Sequence, residues 1–516
     1  MQRIRGKGDW RIWLLTAALA GASTGAWAED GRGAGPGYAP AERVSADRTA
    51  GNAQQPTLDQ LAAAEAGPEA GNPPPPPSET SYDDLARRVA ELEQRLARSA
   101  EMEAAAKNKT ASAPSVKPFG RVFWDTATFS QNPASITQAG DAYNGTEFRN
   151  ARIGLQGDAF DVVDYKIEMD FAAQTSFKDV YLQVKELPLI QNIRAGHYYE
   201  PFGLEAQTGT NLTTFMEKSL IDQLGGVGGY KPGAMVFGSS EDKRVFWELG
   251  VNSAVTTDKP PITPFDSLTG NKDDFNGGNG LYGLYDDNGG YAGSMRIAGL
   301  LWYDEASQGR GLLQTGLSYS YRDIPGLVPG QLRGYRLRAK PEANLAPCVV
   351  NTGWLDDTDH VNALGPELLF VYGPFSVQSE YLWLWLDRTA HAGAAFDGGY
   401  IFVSYFLTGE NRVVGRDGIL RPSRGKPYEN FFRVRTEDGT IETGRGAWEL
   451  AYRASYVNLT DAGIAGGRVV DHTFGVNWYL NAYTRLMFNY VHSEVTDRAP
   501  GPGVLDAIMT RAQIDF

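Results

Sequence analysis

Arg336, Arg338 and Lys340 alternate with Tyr335, Leu337 and Ala339, so an extended backbone places three cations on one face, with Arg333 just ahead of them. Guanidinium forks and an ammonium group at close quarters can replace the hydration shell of a small oxyanion, which is the chemistry of an anion filter. The same residues also suit an exposed basic loop that is solvated or meets lipid phosphates. The spacing leaves both readings open.

Six further cations, Arg152, Lys166, Arg194, Arg453, Arg485 and Arg511, fall on the polar face of segments that alternate polar and apolar residues. Glu168, Asp170, Glu449 and Asp515 share faces with several of them. Such cations read as wall residues paired with neighbouring acids, and a wall of mixed sign gives a transverse field with weak selectivity. Catalytic chemistry has little support. His197, His360, His391, His472 and His492 are scattered, and neither G-x-S-x-G nor H-E-x-x-H occurs. An acidic loop, Asp273 to Gly280 with Asp286 to Asn288, offers oxygen ligands but lacks the spacing of a calcium loop. No metal and no cofactor is expected, and the chain reads as a non-enzyme.

The elements that must carry these cations are strands. Trp448, Leu450, Tyr452, Ala454 and Tyr456 oppose Glu449, Ala451, Arg453 and Ser455; Leu486, Phe488 and Tyr490 oppose Arg485 and Asn489. The last twelve residues, Leu505 to Phe516, alternate in the same way and end on an aromatic. A membrane-crossing strand needs about 9–11 residues with one face in lipid and the other in an aqueous lumen. Aromatics at strand ends suit interfacial girdles. Gly157-Asp158, Gly373-Pro374 and Asn481-Ala482 mark tight turns, whereas Asp258 to Gly290 marks a long loop. Short turns at one end and long loops at the other are the asymmetry of an outer-membrane barrel. About seventeen candidate strands can be counted. Gln331 to Lys340 fits least well, because no turn short enough follows it, and treating it as part of an infolded loop gives about sixteen, an even number.

Ahead of the strands, Arg3, Arg5, Lys7 and Arg11 precede an apolar run, and Ala26-Trp27-Ala28 fits a cleavage site, so residues 1–28 read as an export signal. Residues 29–80, rich in Ala, Gly and Pro with Pro73 to Pro77 unbroken, read as a disordered linker. In residues 81–114, Leu85, Val89, Leu92 and Leu96 recur at heptad spacing, as in a short coiled-coil helix; a single solvated helix is the alternative. The net charge of -14 argues against nucleic acid as a partner. The lone Cys348 forms no intrachain disulfide. The fold expected is all-β: a transmembrane antiparallel barrel of about sixteen strands over residues 115–516.

Eight stretches in order along the chain resemble the phosphate-selective porin O and P family. They are Glu147 to Gly154, Asp164 to Phe171, Phe177 to Leu182, Glu200 to Glu205, Thr214 to Lys218, Gly365 to Leu368, Phe406 to Asn411 and Asn477 to Asn481. The resemblance implies a sixteen-stranded outer-membrane barrel, commonly a trimer, that conducts small anions. It also implies that the third external loop, about residues 204–231, folds into the lumen, bringing Glu205, Glu217, Lys218 and Asp222 with it. The matched stretches are scaffold, so no selectivity residue carries over.

The function expected is a passive outer-membrane porin for small hydrophilic solutes, with anions such as phosphate foremost and outer-membrane lipid around it. A general or cation-tolerant pore is the alternative within that class. An envelope-organising protein, whose N-terminal region touches the cell wall while the barrel anchors it, is the alternative from another class.

Overall fold

The computed structural model describes residues 114–172, 175–224, 228–254, 290–324, 335–435 and 439–516. The export signal, linker and coil, together with Arg333 and the acidic loop from Asp273, lie outside the described residues.

Sixteen strands close into one antiparallel barrel. The first eight are β1 (Lys117–Gln131), β2 (Gly145–Ala159), β3 (Val163–Asp170), β4 (Ser176–Leu187), β5 (Gln191–Tyr199), β6 (Tyr230–Ser239), β7 (Val245–Ser253) and β8 (Tyr291–Tyr303). The rest are β9 (Gly311–Asp323), β10 (Thr358–Tyr372), β11 (Phe375–Arg388), β12 (Ala394–Phe406), β13 (Ala447–Asp461), β14 (Ile464–Tyr479), β15 (Thr484–Thr496) and β16 (Gly503–Asp515). Each pairs with its neighbours in sequence, and β16 returns to β1 with Arg121 opposite Asp515 and Gln131 opposite Leu505. Phe516 completes the seam: its N–H donates to the Gly120 carbonyl at 3.0 Å, and the Gly120 N–H donates to the Phe516 carbonyl at 3.0 Å. Closure leaves no sheet edge for lipid to meet.

Alternation sorts the side chains by face. On β11, Phe375, Val377, Tyr381, Trp383 and Trp385 point outward, while Ser376, Gln378, Glu380, Leu382, Leu384 and Leu386 are buried inside. Outward Trp302, Tyr372, Tyr405, Trp448 and Trp478 gather toward the end that carries Lys117 and Phe516, and outward Tyr319, Tyr321 and Trp385 toward the other. Large apolar groups such as Leu317, Phe474, Phe488 and Ile508 lie exposed between these belts. An exposed apolar band between aromatic belts is the surface a bilayer requires.

The inner face is not uniformly polar. Leu382, Leu384, Leu386, Phe396, Val457, Leu459, Val469 and Val495 project inward toward the end opposite the termini. They pack there against Tyr335, Leu337, Ala339, Val349, Val350 and Leu355 of the β9–β10 connection, so part of the lumen is filled by a dry core.

The turn at Gly373-Pro374 falls between β10 and β11, and Asn481-Ala482 lies between β14 and β15. The turn expected at Gly157-Asp158 is corrected. Both residues still pair, with Tyr165 and Asp164, and the chain reverses at Phe160 and Asp161, which adopt positive φ. A larger correction concerns the terminal end, where short turns are the rule. The β12–β13 connection, residues 407–446, leaves that end and is long. Its described residues carry two pieces of ladder, Val414–Gly415 with Arg421–Pro422 and a hairpin pairing Phe432–Arg435 with Ile441–Gly444.

Candidate functional site

Three connections turn into the lumen. Two enter from the end opposite the termini, β5–β6 (residues 200–229) and β9–β10 (324–357), and the third is β12–β13 (407–446) from the terminal end. An infolded chain carries backbone donors and acceptors that must be satisfied away from bulk water. The wall supplies those partners, and the charged residues do most of the holding.

In the β5–β6 connection, Gly203 adopts φ +71°, a conformation that favours glycine, and starts the short helix α1 (Leu204–Gln207). The Glu380 carboxylate on β11 accepts from the Leu204 N–H at 2.6 Å and the Glu205 N–H at 2.8 Å. Glu200, at the root of the connection, receives both arms of one Arg322 nitrogen at 2.8 and 2.9 Å. At the loop's far reach, Glu217 is gripped by Arg149 at 2.8 Å and by Arg511 at 2.9 Å, while Arg511 also chelates Asp125. Lys218 points elsewhere, to Asp222 at 3.4 Å and over the Tyr199 ring. Two guanidinium groups overcome the cost of burying Glu217 and hold its carboxyl below the usual range. The connection ends at Gly229; Tyr230 and Lys231 already belong to β6, a little short of the expected boundary.

The β9–β10 connection is pinned by Glu342. Its carboxylate takes Arg453 at 2.6 Å and hydroxyls from Ser455 and Thr473, while its N–H donates to Asp471 at 2.8 Å. Arg453 at the same time reaches Glu205 at 3.1 Å and the Glu217 carbonyl at 2.9 Å. One wall arginine thus ties two inturned segments together. The basic run lies in this segment: Arg338 and Ala339 pair with Asn351 and Val350, and Arg336 stacks over Trp354 at 4.7 Å. Arg336 and Arg338 are buried, so the run is no exposed basic loop. Lys340 donates to the Asn344 carbonyl at 2.5 Å.

The third segment meets the first two. Arg412 pairs with Glu449 at 3.0 Å and reaches the Thr214 hydroxyl of the first segment. Arg421 donates to the Gln207 carbonyl at 3.2 Å, and the Leu420 carbonyl accepts from Arg296 at 2.9 Å. Arg424 pairs with Asp515 at 2.8 Å. Between this segment and Asn211-Leu212 lies a recess whose lining includes Arg412, Arg424, Lys426 and Arg485, with Glu410 and Asp515.

The wall cations nominated by parity divide into two kinds. Arg152 pairs with Asp170 at 2.8 Å, Lys166 with Asp179 at 2.6 Å and Glu168 at 3.3 Å, and Arg453 and Arg511 with the acids above. Arg194 instead binds the Gln183 amide and stacks over Tyr181 at 4.2 Å. Arg485 is 3% exposed, donates to the Thr213 carbonyl at 2.8 Å, to Tyr479 and to Gln513, and keeps a buried Nε–H without a partner among the described residues. Neither Arg194 nor Arg485 meets a carboxylate among the described residues.

Parity alone would also have flagged Arg296, which alternates with Met295 and Ile297 and sits between Glu248 and Glu367 at 2.9 and 2.7 Å. Arg412, Arg424 and Lys426 carry no such signal, because the connection that bears them has no strand period.

Comparison with known proteins shows the family. The family described as phosphate-selective porin O and P matches residues 116–516. Porin O of Pseudomonas aeruginosa is 24% identical over 428 residues, covering 76% of this chain and 86% of that protein. An uncharacterised protein of Caulobacter vibrioides is 24% identical over 380 residues, covering 73% of this chain and 68% of that protein. Among solved structures, the anion-selective porin from Comamonas acidovorans superimposes with a TM-score of 0.47 at 11% identity, covering 78% of this chain and 100% of that one.

Proposed function

The chain belongs to the phosphate-selective porin O and P family of outer-membrane porins, and from that premise we propose that its lumen passes small inorganic anions, phosphate foremost, down their gradients. The observation that carries the preference is Arg485. Its charge is fixed, nearly all its surface is buried, and no carboxylate among the described residues neutralises it. Most other lumenal arginines are cancelled by acids within a few ångströms, so they shape the wall more than they bias the ions crossing it.

The recess beside Arg485 brings Arg412, Arg424 and Lys426 near it, against Glu410, Asp515 and the Glu449 that holds Arg412. Four cations face three carboxylates there. An oxyanion entering that balance gains charge-assisted hydrogen bonds from donors already in place, whereas a cation meets the excess charge. Arg194, held by an amide and aromatic rings, adds a second uncompensated charge on the opposite wall. The buried run Arg336, Arg338 and Lys340 belongs to the same reading as part of the filter. Three such barrels in one assembly, the arrangement the family resemblance implies, complete the proposal.

Chloride current through the full-length protein in planar bilayers, titrated with phosphate, tests it. Phosphate should reduce chloride current in the millimolar range or below, and Arg485→Gln should weaken that inhibition several-fold. Chloride current indifferent to phosphate would remove phosphate from the reading, and an Arg485→Gln channel with unchanged inhibition would remove Arg485.

A further inference from the structure

The β12–β13 connection does not end where it leaves the lumen. Past Arg424 it crosses to the outside of the terminal rim: the Phe431 N–H donates to the Leu480 carbonyl at 2.7 Å, and the Phe431 ring meets Trp478 edge-on, 4.6 Å between centroids. Trp478 is an outward residue of β14. It stacks on outward Trp448 of β13 at 4.9 Å and donates its indole N–H to the Arg445 carbonyl at 2.8 Å. The hairpin of Phe432–Arg435 and Ile441–Gly444 is therefore moored to the outer wall at the aromatic belt.

Its own large apolar groups are exposed. Phe432 is 63% exposed and Ile441 47%, on a segment otherwise rich in charge. Exposed large apolar side chains on a hairpin moored to an aromatic belt mark a surface that meets something other than water. What it meets follows from continuity. Trp448 and Trp478 belong to the belt that sits at headgroup level, where an aromatic ring keeps one edge wet and the rest in the upper acyl region. Phe431 extends that belt laterally and meets the ring of Phe432, 6.0 Å between centroids; Phe432 pairs with Gly444 beside the belt, and Ile441 pairs with Arg435 at the other end of the ladder.

We propose that this hairpin lies within the headgroup layer of the periplasmic leaflet, with Phe432 and Ile441, at its two ends, each meeting phospholipid. It would then join the bilayer to the segment that fills the terminal end of the lumen, since the same connection carries Arg412 and Arg424 inside. The proposal rests on the outer-membrane setting of the barrel and not on its ion preference.

The test uses full-length protein in phospholipid vesicles. Nitroxide labels are placed at Phe432→Cys and, separately, Ile441→Cys in a Cys348→Ala background, with Phe488→Cys on the lipid-facing wall and Asp242→Cys in the β6–β7 turn as references. Collision rates with dissolved oxygen and with a water-soluble nickel chelate are measured by electron paramagnetic resonance. At both hairpin sites the ratio of oxygen to nickel collision should exceed that at Asp242 several-fold and approach that at Phe488. Nickel collision equal to that at Asp242 would place the hairpin in water and overturn the proposal. Low collision with both reagents would place it against protein, another copy included, and overturn it equally. Both labelled side chains are exposed on the hairpin, so the labels disturb little packing, and because neither site touches the lumen, the outcome is independent of whether the channel prefers anions.

Discussion

The Arg453 guanidinium and the Glu342 carboxylate meet at 2.6 Å with both side chains fully buried, and they belong to the wall and to an infolded segment separated by more than a hundred residues of chain. Glu205, from a different infolded segment, shares the same arginine. Removing one partner of a buried pair leaves an uncompensated charge and costs roughly 3–5 kcal/mol. Arg453→Leu should therefore release both segments from β13. Thermal denaturation should shift downward and single-channel conductance should rise. Glu342→Gln, which keeps a hydrogen-bonding oxygen and frees only one segment, should do the same more weakly.

The third segment is predicted to narrow the terminal mouth of the lumen independently. Replacing residues 412–426 by a Gly/Ser linker removes Arg412, Arg424 and Lys426 together with the chain that carries them. Conductance should rise while the ratio of anion to cation permeability falls. The barrel should remain folded, because its wall hydrogen bonds run between strands that the replacement does not touch.

Burial within the infolded β9–β10 connection pushes the Lys340 ammonium below its ordinary value of 10.5, with nearby Arg149 adding to the effect. For a base whose folded value is lowered, the folded state binds fewer protons than the unfolded one over the interval between the two values. The cost of holding the charge is thus present at neutral pH and is relieved as pH rises toward 10.5, so stability climbs across that interval. If Lys340 contributes to the filter, anion preference should fall between neutral pH and about pH 10, where arginines keep their charge. Lys340→Arg should abolish that fall. Reversal potentials recorded at both pH values in the two proteins check this.

The closing seam gives a stability prediction. A β-carbon added at Gly120 would clash with the edge of the Phe516 ring and lie 2.7 Å from the Arg152 carbonyl. Gly120→Val should separate the two backbone hydrogen bonds that join Gly120 and Phe516, at a cost of about 1–3 kcal/mol. Slower assembly in detergent and a lower denaturation temperature are expected, with selectivity unchanged in the channels that form.

The sequence declared the wall better than the lumen, for a physical reason. A strand with lipid on one face and water on the other writes its pairing into a period of two, so Leu450, Tyr452 and Arg453 disclose their faces unaided. The same logic separated Gln331 to Lys340 from the strands, since no short turn follows it. Infolded chain has no such period. Nothing local distinguishes residues 407–446 from an ordinary loop, and Arg412 meets Glu449, Arg424 meets Asp515 and Arg453 meets Glu205 only after the barrel has closed. Parity can say that Arg485 and Arg511 both face inward. It cannot say that Arg511 finds Asp125 and Glu217 while Arg485 finds no acid among the described residues, and that difference is the one on which the anion reading depends.

The sign of the reversal potential tests that reading most directly. Full-length protein is inserted into a planar bilayer separating two concentrations of potassium chloride. A potential that follows the chloride gradient is predicted, shrinking toward zero in Arg485→Gln. A potential that follows the potassium gradient in the unaltered protein would contradict the account.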